Sequence, residues 1–191
     1  VVKPVWIFNL SRKLTTRGKE RVNKISQRTM DIFSEIVSTL EREEHIMLAT
    51  IISTSGSTPA SSFSKMLVKE NGNVPIGTIG GGCMEGDVLL YARRLLELNK
   101  AEILSFNLRE DDIEHGLICG GSLDILIEPI SKSDQSLYQK ITTLRGEGKD
   151  SVLITVFSTD GKIISKEIYS PSNNNENEIN RFSLNQPEAK A

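Results

Sequence analysis

Two cysteines are all that a chain of 191 residues carries. So few exclude a disulfide framework and make a reducing, cytoplasmic setting the default expectation. No apolar run reaches the ~18 residues of a membrane-spanning helix, so no membrane segment is expected. No positive-then-apolar-then-small pattern marks a secretory signal. Positive charge is unevenly spread: eight of the 23 Lys/Arg lie in residues 1–30 beside a single acid, Glu20, which leaves 15 basic and 24 acidic side chains in 31–191. A body of net charge −9 is poorly suited to nonspecific nucleic-acid binding, which sets clustered cations against phosphates. The sequence also lacks G-x-x-x-x-G-K-[ST], a G-x-G-x-x-G in a βαβ setting, and G-x-S-x-G. P-loop, dinucleotide and serine-hydrolase chemistry therefore gain no support.

What is present fits one ordinary soluble domain, with 38% apolar and 25% charged residues. Residues 1–29 read as a basic N-terminal extension, either a poorly ordered segment or an interaction arm, and Met30 stands just before the first clean amphipathic pattern. The domain is expected over 30–170. From Pro171 the chain turns Asn-rich, with six Asn in 171–191; such a tail cannot bury enough surface to offset its ordering entropy and is expected to be disordered.

Within the domain, Ile32, Phe33, Ile36, Val37 and Leu40 share a helical face behind a plausible N-cap, Asp31. "IMLATIIST" (46–54) is a continuous apolar run suited to a buried strand. "KMLVK" (65–69) and "VPIGTI" (74–79) read as strands around an Asn-Gly turn, Pro75 marking an edge or a strand start. Met84, Val88, Tyr91, Leu95 and Leu98 predict a helix over 83–98. Strands follow at 101–108 and 120–130, then a helix at 134–146. A hairpin of "SVLITVFS" and "KIISKEIY" turns at Asp160-Gly161. The expected fold class is α/β, a mixed β-sheet flanked by helices in a single domain.

"PIGTIGGGCMEG" (75–86) spends unusual backbone freedom in one place. Three glycines, Gly80, Gly81 and Gly82, stand between a strand and a helix. They form either a tight structural turn or a cradle, since bare backbone N–H groups at a helix start suit an anion. Glu85 and Asp87 in the first helical turn oppose an anion there. Cys83 opens the helix, where the dipole favours the thiolate; Cys119 precedes a second pair, Gly120-Gly121. Isolated cysteines are commonly small buried hydrophobes, yet both of these adjoin glycine runs. Their 36-residue separation is no redox C-x-x-C, and with His45 and His115 they lack the spacing of a structural zinc site. "REDD" (109–112) with Glu114 reads as a solvated acidic loop or an acid/base cluster. "STSGSTP" (53–59) places hydroxyls beside glycine, either a strand exit or a phosphate contact.

Taken together, "STSGSTPASSFSKMLV", "GTIGGGCMEGDV" and "GLICGGSLDILIEPI" resemble the N-terminal domain of the xanthine dehydrogenase accessory proteins, the XdhC/CoxI family, over about 31–130 and more loosely to 169. The resemblance implies a molybdenum-cofactor (molybdopterin) chaperone without turnover. Such a protein would hold the cofactor during sulfuration by a cysteine desulfurase and help insert it into xanthine dehydrogenase or a related molybdenum hydroxylase. It implies cofactor contacts at Gly56, Ser57, Lys65, Thr78, Gly80, Gly81, Gly82, Cys83, Glu85, Cys119, Gly120 and Gly121, with Cys83 and Cys119 suited to the soft metal or its sulfur. No catalytic residue, no nucleic acid and no membrane are expected, and a homodimer stays open. Where family members usually carry an arginine after Ser-x-Pro and a glycine three residues later, this chain has Ala60 and Phe63; Lys65 keeps a cation. The family's C-terminal Rossmann-like domain has no counterpart in these residues. A pterin-modifying enzyme and a cofactor-free docking module are the alternatives.

Overall fold

The computed structural model describes residues 31–72, 74–108, 120–149 and 151–170, with Cys83 in backbone only. The expectations for residues 1–29, for the acidic loop 109–114 and for the tail 171–191 lie outside the described residues, as does Cys119.

The elements run α1 (Ile32–Glu41), β1 (Ile46–Ser55), β2 (Lys65–Lys69), β3 (Ile76–Gly77), α2 (Cys83–Leu98), β4 (Glu102–Asn107) and β5 (Ser122–Ile130). A 3-10 turn (Lys132–Asp134) then leads into α3 (Gln135–Gly146), β6 (Val152–Phe157) and β7 (Ile163–Tyr169). Five strands form one sheet in the order β3-β2-β1-β5-β4, and β6-β7 form a separate ladder. The α/β expectation holds, with a refinement of the mixed sheet: every described strand pair is antiparallel. The continuous apolar run of β1 arises because both faces of this antiparallel sheet are covered. On one face Met47, Ala49 and Ile51 pack with Met66, Val68, Leu123, Ile125 and Ile127 beneath α2. On the other, Ile46, Leu48, Leu67 and Ile130 meet α1, α3 and Leu153. Fully burying each large aliphatic side chain contributes about 1.5–3 kcal/mol.

Two local readings change. The ladder of β3 shrinks to Ile76–Gly77, consistent with an edge segment whose Pro75 has no N–H to donate. On α2 the buried stripe is Met84, Val88, Ala92 and Leu95, while Tyr91 and Leu98 are 45% and 56% exposed. Ala92, one position after Tyr91, faces the sheet because a small side chain lets helix and sheet approach closely. Asp31 does stand at the N-cap of α1, but its carboxylate is used in tertiary contacts: Oδ1 accepts from Arg145 Nη1 at 2.9 Å and so ties α1 to α3.

Candidate functional site: three glycine loops at one end of the sheet

The exit of β1, the β3–α2 connection and the entrance to β5 meet at one end of the sheet. Gly56, at φ +69, lies so close to the third loop that an added Cβ would sit 3.1 Å from Gly121 Cα. The contact is reciprocal: a Cβ on Gly121 would overlap Ser57 O and lie 2.6 Å from Ser55 O. A Cβ on Gly80 would lie 2.9 Å from Pro59 Cγ, so the first loop touches the second as well. These glycines are required by close backbone approach. Leu108 and Gly120 exchange backbone contacts across the base of the third loop: Gly120 N donates to Leu108 O at 2.9 Å, and Leu108 N to Gly121 O at 2.8 Å.

Gly81, Gly82 and Gly120 differ in kind. They hold φ of +79, +68 and +71, and among the described residues nothing lies within 4 Å of where their Cβ atoms would be. Their backbone conformation favours glycine, and their open side leaves main chain bare to whatever approaches.

Glu85 organises the second loop. Its Oε1 accepts from Thr78 Oγ1 at 2.5 Å, Ile79 N at 3.1 Å and Gly81 N at 3.0 Å. Gly80 N donates to Thr78 Oγ1 at 3.2 Å. Burial of the carboxyl works against its ionisation, but the hydrogen bonds from Thr78, Ile79 and Gly81 outweigh it and hold its pKa below the ordinary value. The N–H groups of Gly80 and Gly81, expected from sequence to be free for an anion, therefore serve the protein's own side chains.

Gly56, Ser57, Thr78, Gly80, Gly81, Gly82, Glu85, Gly120 and Gly121 are thus brought into three contiguous loops. The Cys83 backbone opens α2 directly after Gly82. Lys65 is not brought to them. It alternates along β2 with Met66, which faces α2, and so lies on the opposite face; its Nζ donates to Phe63 O at 3.1 Å. Burial pushes its pKa down to about 8, with Glu128 acting in the opposite direction. Among the described residues no cluster of His, Cys, Asp and Glu could hold a metal ion.

On the Lys65 face, sequence reasoning missed a buried ionic group. Lys166 Nζ lies 2.8 Å from Glu128 Oε2 and 3.4 Å from Asp134 Oδ1, with Lys166 and Glu128 side chains only 7% and 3% exposed. Lys166 is thus the cation that faces the buried Oε2 of Glu128. The legible signal was an acid inside the apolar run "LDILIEPI". A cleft of ≈ 840 Å³ opens beside this group, lined in part by Lys100, Glu102, Asp134, Asp160, Lys162 and Lys166. It lies at the far end of β4 and β5 from the glycine loops and includes none of the predicted site residues.

Known proteins resemble this chain in sequence and in fold. Residues 39–107 match the model of the XdhC and CoxI family. That segment belongs to the family. It runs from the end of α1 to the end of β4 and contains the second glycine loop, stopping short of Gly120-Gly121. A Bacillus subtilis protein, named as a probable xanthine dehydrogenase subunit, is 31% identical over 113 residues, covering 58% of this chain and 34% of that protein. YqeB of Escherichia coli is 31% identical over 99 residues, 51% of this chain and 18% of its own length. The crystal structure of a xanthine dehydrogenase from Bacillus halodurans superposes with a TM-score of 0.63 at 26% identity, covering 73% of this chain and 42% of that one. The chain therefore spans about a third of the Bacillus subtilis relative and less of YqeB. No helix among the described residues is long and apolar enough to cross a membrane.

Proposed function

We propose that this XdhC-type domain carries a molybdenum cofactor, a pterin bearing a phosphate and a dithiolene-held metal, and serves as an accessory factor in maturing xanthine dehydrogenase or a related molybdenum hydroxylase. A cytoplasmic setting and hand-over alongside a cysteine desulfurase belong to the same reading. The observation that carries it is the bare backbone of Gly81, Gly82 and Gly120, gathered at one end of the sheet and partly within the family segment. Side-chain-free main chain suits close approach by a flat ring, and these residues, with Glu85, would hold it. The cysteines at 83 and 119 would add soft donors near the metal end. When bound, the cofactor supplies the redox chemistry that the recipient enzyme uses; this chain's own part is to bind, orient and shield.

The test is to purify the full chain from molybdate-fed cells and measure molybdenum and pterin per chain. Near-stoichiometric amounts are expected, falling in a folded Gly81→Val variant, because a β-branched side chain disfavours positive φ and blocks the open face. Absence of both from the wild-type protein would defeat the reading. A docking-module reading draws on one further feature, the exposure of Leu90 (66%), Tyr91 and Leu98 on α2. It would be favoured if binding to a cofactor-free hydroxylase survived changing both cysteines to alanine.

A further inference from the structure

The cleft beside Lys166 lies at the other end of the sheet from the glycine loops. The six residues of β4 separate them, roughly 20 Å at strand spacing. We infer that this cleft is a second ligand site, and that it takes a small organic phosphate, with the anionic group against the ammonium groups of Lys100, Lys162 and Lys166.

The walls of the cleft are held by the fold. Asn99 ends α2 at φ +47, and its N–H donates to Leu96 O at 3.1 Å, which turns Lys100 and Ala101 into β4. On the other side the β6–β7 turn is pinned to β4. A Cβ on Gly161 would lie 2.8 Å from Glu102 Cα and 3.0 Å from Ile103 N. Within the turn, Gly161 N donates to Ser158 O and Ser158 N to Lys162 O, both at 2.9 Å. Lys162 and Lys166 are thus carried by a hairpin fixed against the sheet.

Three observations select the ligand. First, the acids that line the cleft are occupied or turned away. Asp134 Oδ2 accepts from Ser131 N at 2.9 Å and Ser131 Oγ at 3.0 Å, and its Oδ1 faces Lys166. Asp160 Oδ1 accepts from Ser158 Oγ. Glu102 pairs with Ile127, which places it on the α2 face, opposite to Lys166. Second, the cations keep unused donors. The ammonium groups of Lys100 and Lys162 make no hydrogen bond or salt bridge among the described residues, although Asp160 senses the charge of Lys162. Lys166 has three N–H donors; Glu128 and Asp134 account for two, and its side chain, 7% exposed, lines the cleft with one to spare. Third, ≈ 840 Å³ is far more than a free anion fills and lies within the ~300–1,000 Å³ of small-molecule pockets. Ala101, Ile103, Pro129 and Ile163 give the cleft an apolar wall for the organic part. A phosphate monoester brings close to two negative charges and three acceptor oxygens, enough for three ammonium groups.

The test titrates the full-length chain with phenyl phosphate and follows backbone N–H shifts by NMR. Binding on the order of millimolar is expected for so small a molecule, with shifts at Ala101, Ile103 and Gly161 and none at Gly81 or Gly82. Affinity should weaken as salt is raised, since exposed charges are screened. Lys100 and Lys162 are exposed, so a Lys100→Gln/Lys162→Gln double variant should melt within a few degrees of wild type. It should bind on the order of tenfold more weakly. On the wild-type protein, phenol and inorganic phosphate should each bind more weakly than phenyl phosphate, one lacking the anion and the other the apolar part. No shifts at the cleft, shifts at the glycine loops instead, a double variant that binds as wild type does, or phenol or inorganic phosphate binding as tightly as phenyl phosphate would overturn the inference. Molybdenum and pterin content should be the same in the double variant as in wild type. Wild-type protein that lacks both yet binds phenyl phosphate in this cleft would defeat the carrier reading alone.

Discussion

Gly121 and Gly82 separate two reasons for using glycine, and substituting each by alanine measures them independently. At Gly121 the obstacle is steric. The new Cβ would overlap Ser57 O and approach Ser55 O to 2.6 Å, and both are main-chain oxygens of the first loop. A flexible side chain could swing aside; these cannot move without shifting the β1 exit, where Gly56 already packs on Gly121 Cα. Forcing atoms into a packed site costs about 1–3 kcal/mol and occasionally more, and we expect Gly121→Ala near ~3 kcal/mol. At Gly82 the space is open and the obstacle is φ of +68. There φ +68 with ψ −148 falls in a region essentially reserved for glycine, at a cost of about 1–3 kcal/mol, offset by ~0.4–1 kcal/mol because alanine restricts the unfolded chain. The net is about 1–2 kcal/mol. With each kcal/mol worth roughly 2–8 °C at these sizes, Gly121→Ala should melt well below Gly82→Ala, and urea midpoints should fall in the same order at unchanged m. Gly121→Ala as stable as Gly82→Ala, or more so, would refute the packing of the first loop against the third.

Two other perturbations probe the body of the domain. Lys166→Met leaves Glu128 buried without its cation and should cost about 3–5 kcal/mol near neutral pH. Burial raises the pKa of Glu128, and Lys166 opposes that rise; removing the lysine raises it further. A carboxyl with a raised folded-state pKa favours the fold when protonated, so the penalty should shrink as pH falls toward 4.5 and below; a penalty independent of pH in urea melts would contradict this. On α2, Met84→Ala should cost about 2–5 kcal/mol and Tyr91→Ala within ~0.5 kcal/mol, as buried and surface positions do. A large Tyr91→Ala effect on the isolated chain would mean its exposed face is covered.

The bounds of α2 and β2 follow the sequence because their cues are local. Gly82 stands at the N-cap of α2, and "KMLVK" is closed by its own Asn-Gly turn. The face of α2 was legible only in part. Helical spacing admits Tyr91 or Ala92 equally, and the choice fell to the sheet, which accepts the small side chain at that distance. The glycine runs announced a special place, since so much backbone freedom is costly inside regular structure. Their division into packed and open glycines was not legible, because it depends on Ser55, Ser57 and Pro59, which lie far away in sequence from Gly80 and Gly121.

Sequence by itself determined the α/β composition, the order of helices and strands and the three glycine blocks of the XdhC and CoxI resemblance, because periodicity, turn chemistry and motif spacing are properties of neighbouring residues. Tertiary structure alone decided that the strands run antiparallel, that Lys65 lies on the face away from the glycine loops, that Lys166 pairs with Glu128, and that Glu85 rather than a bound anion takes the N–H of Gly81. Each of these depends on which distant segments meet, and that is set by burying both faces of β1 at once.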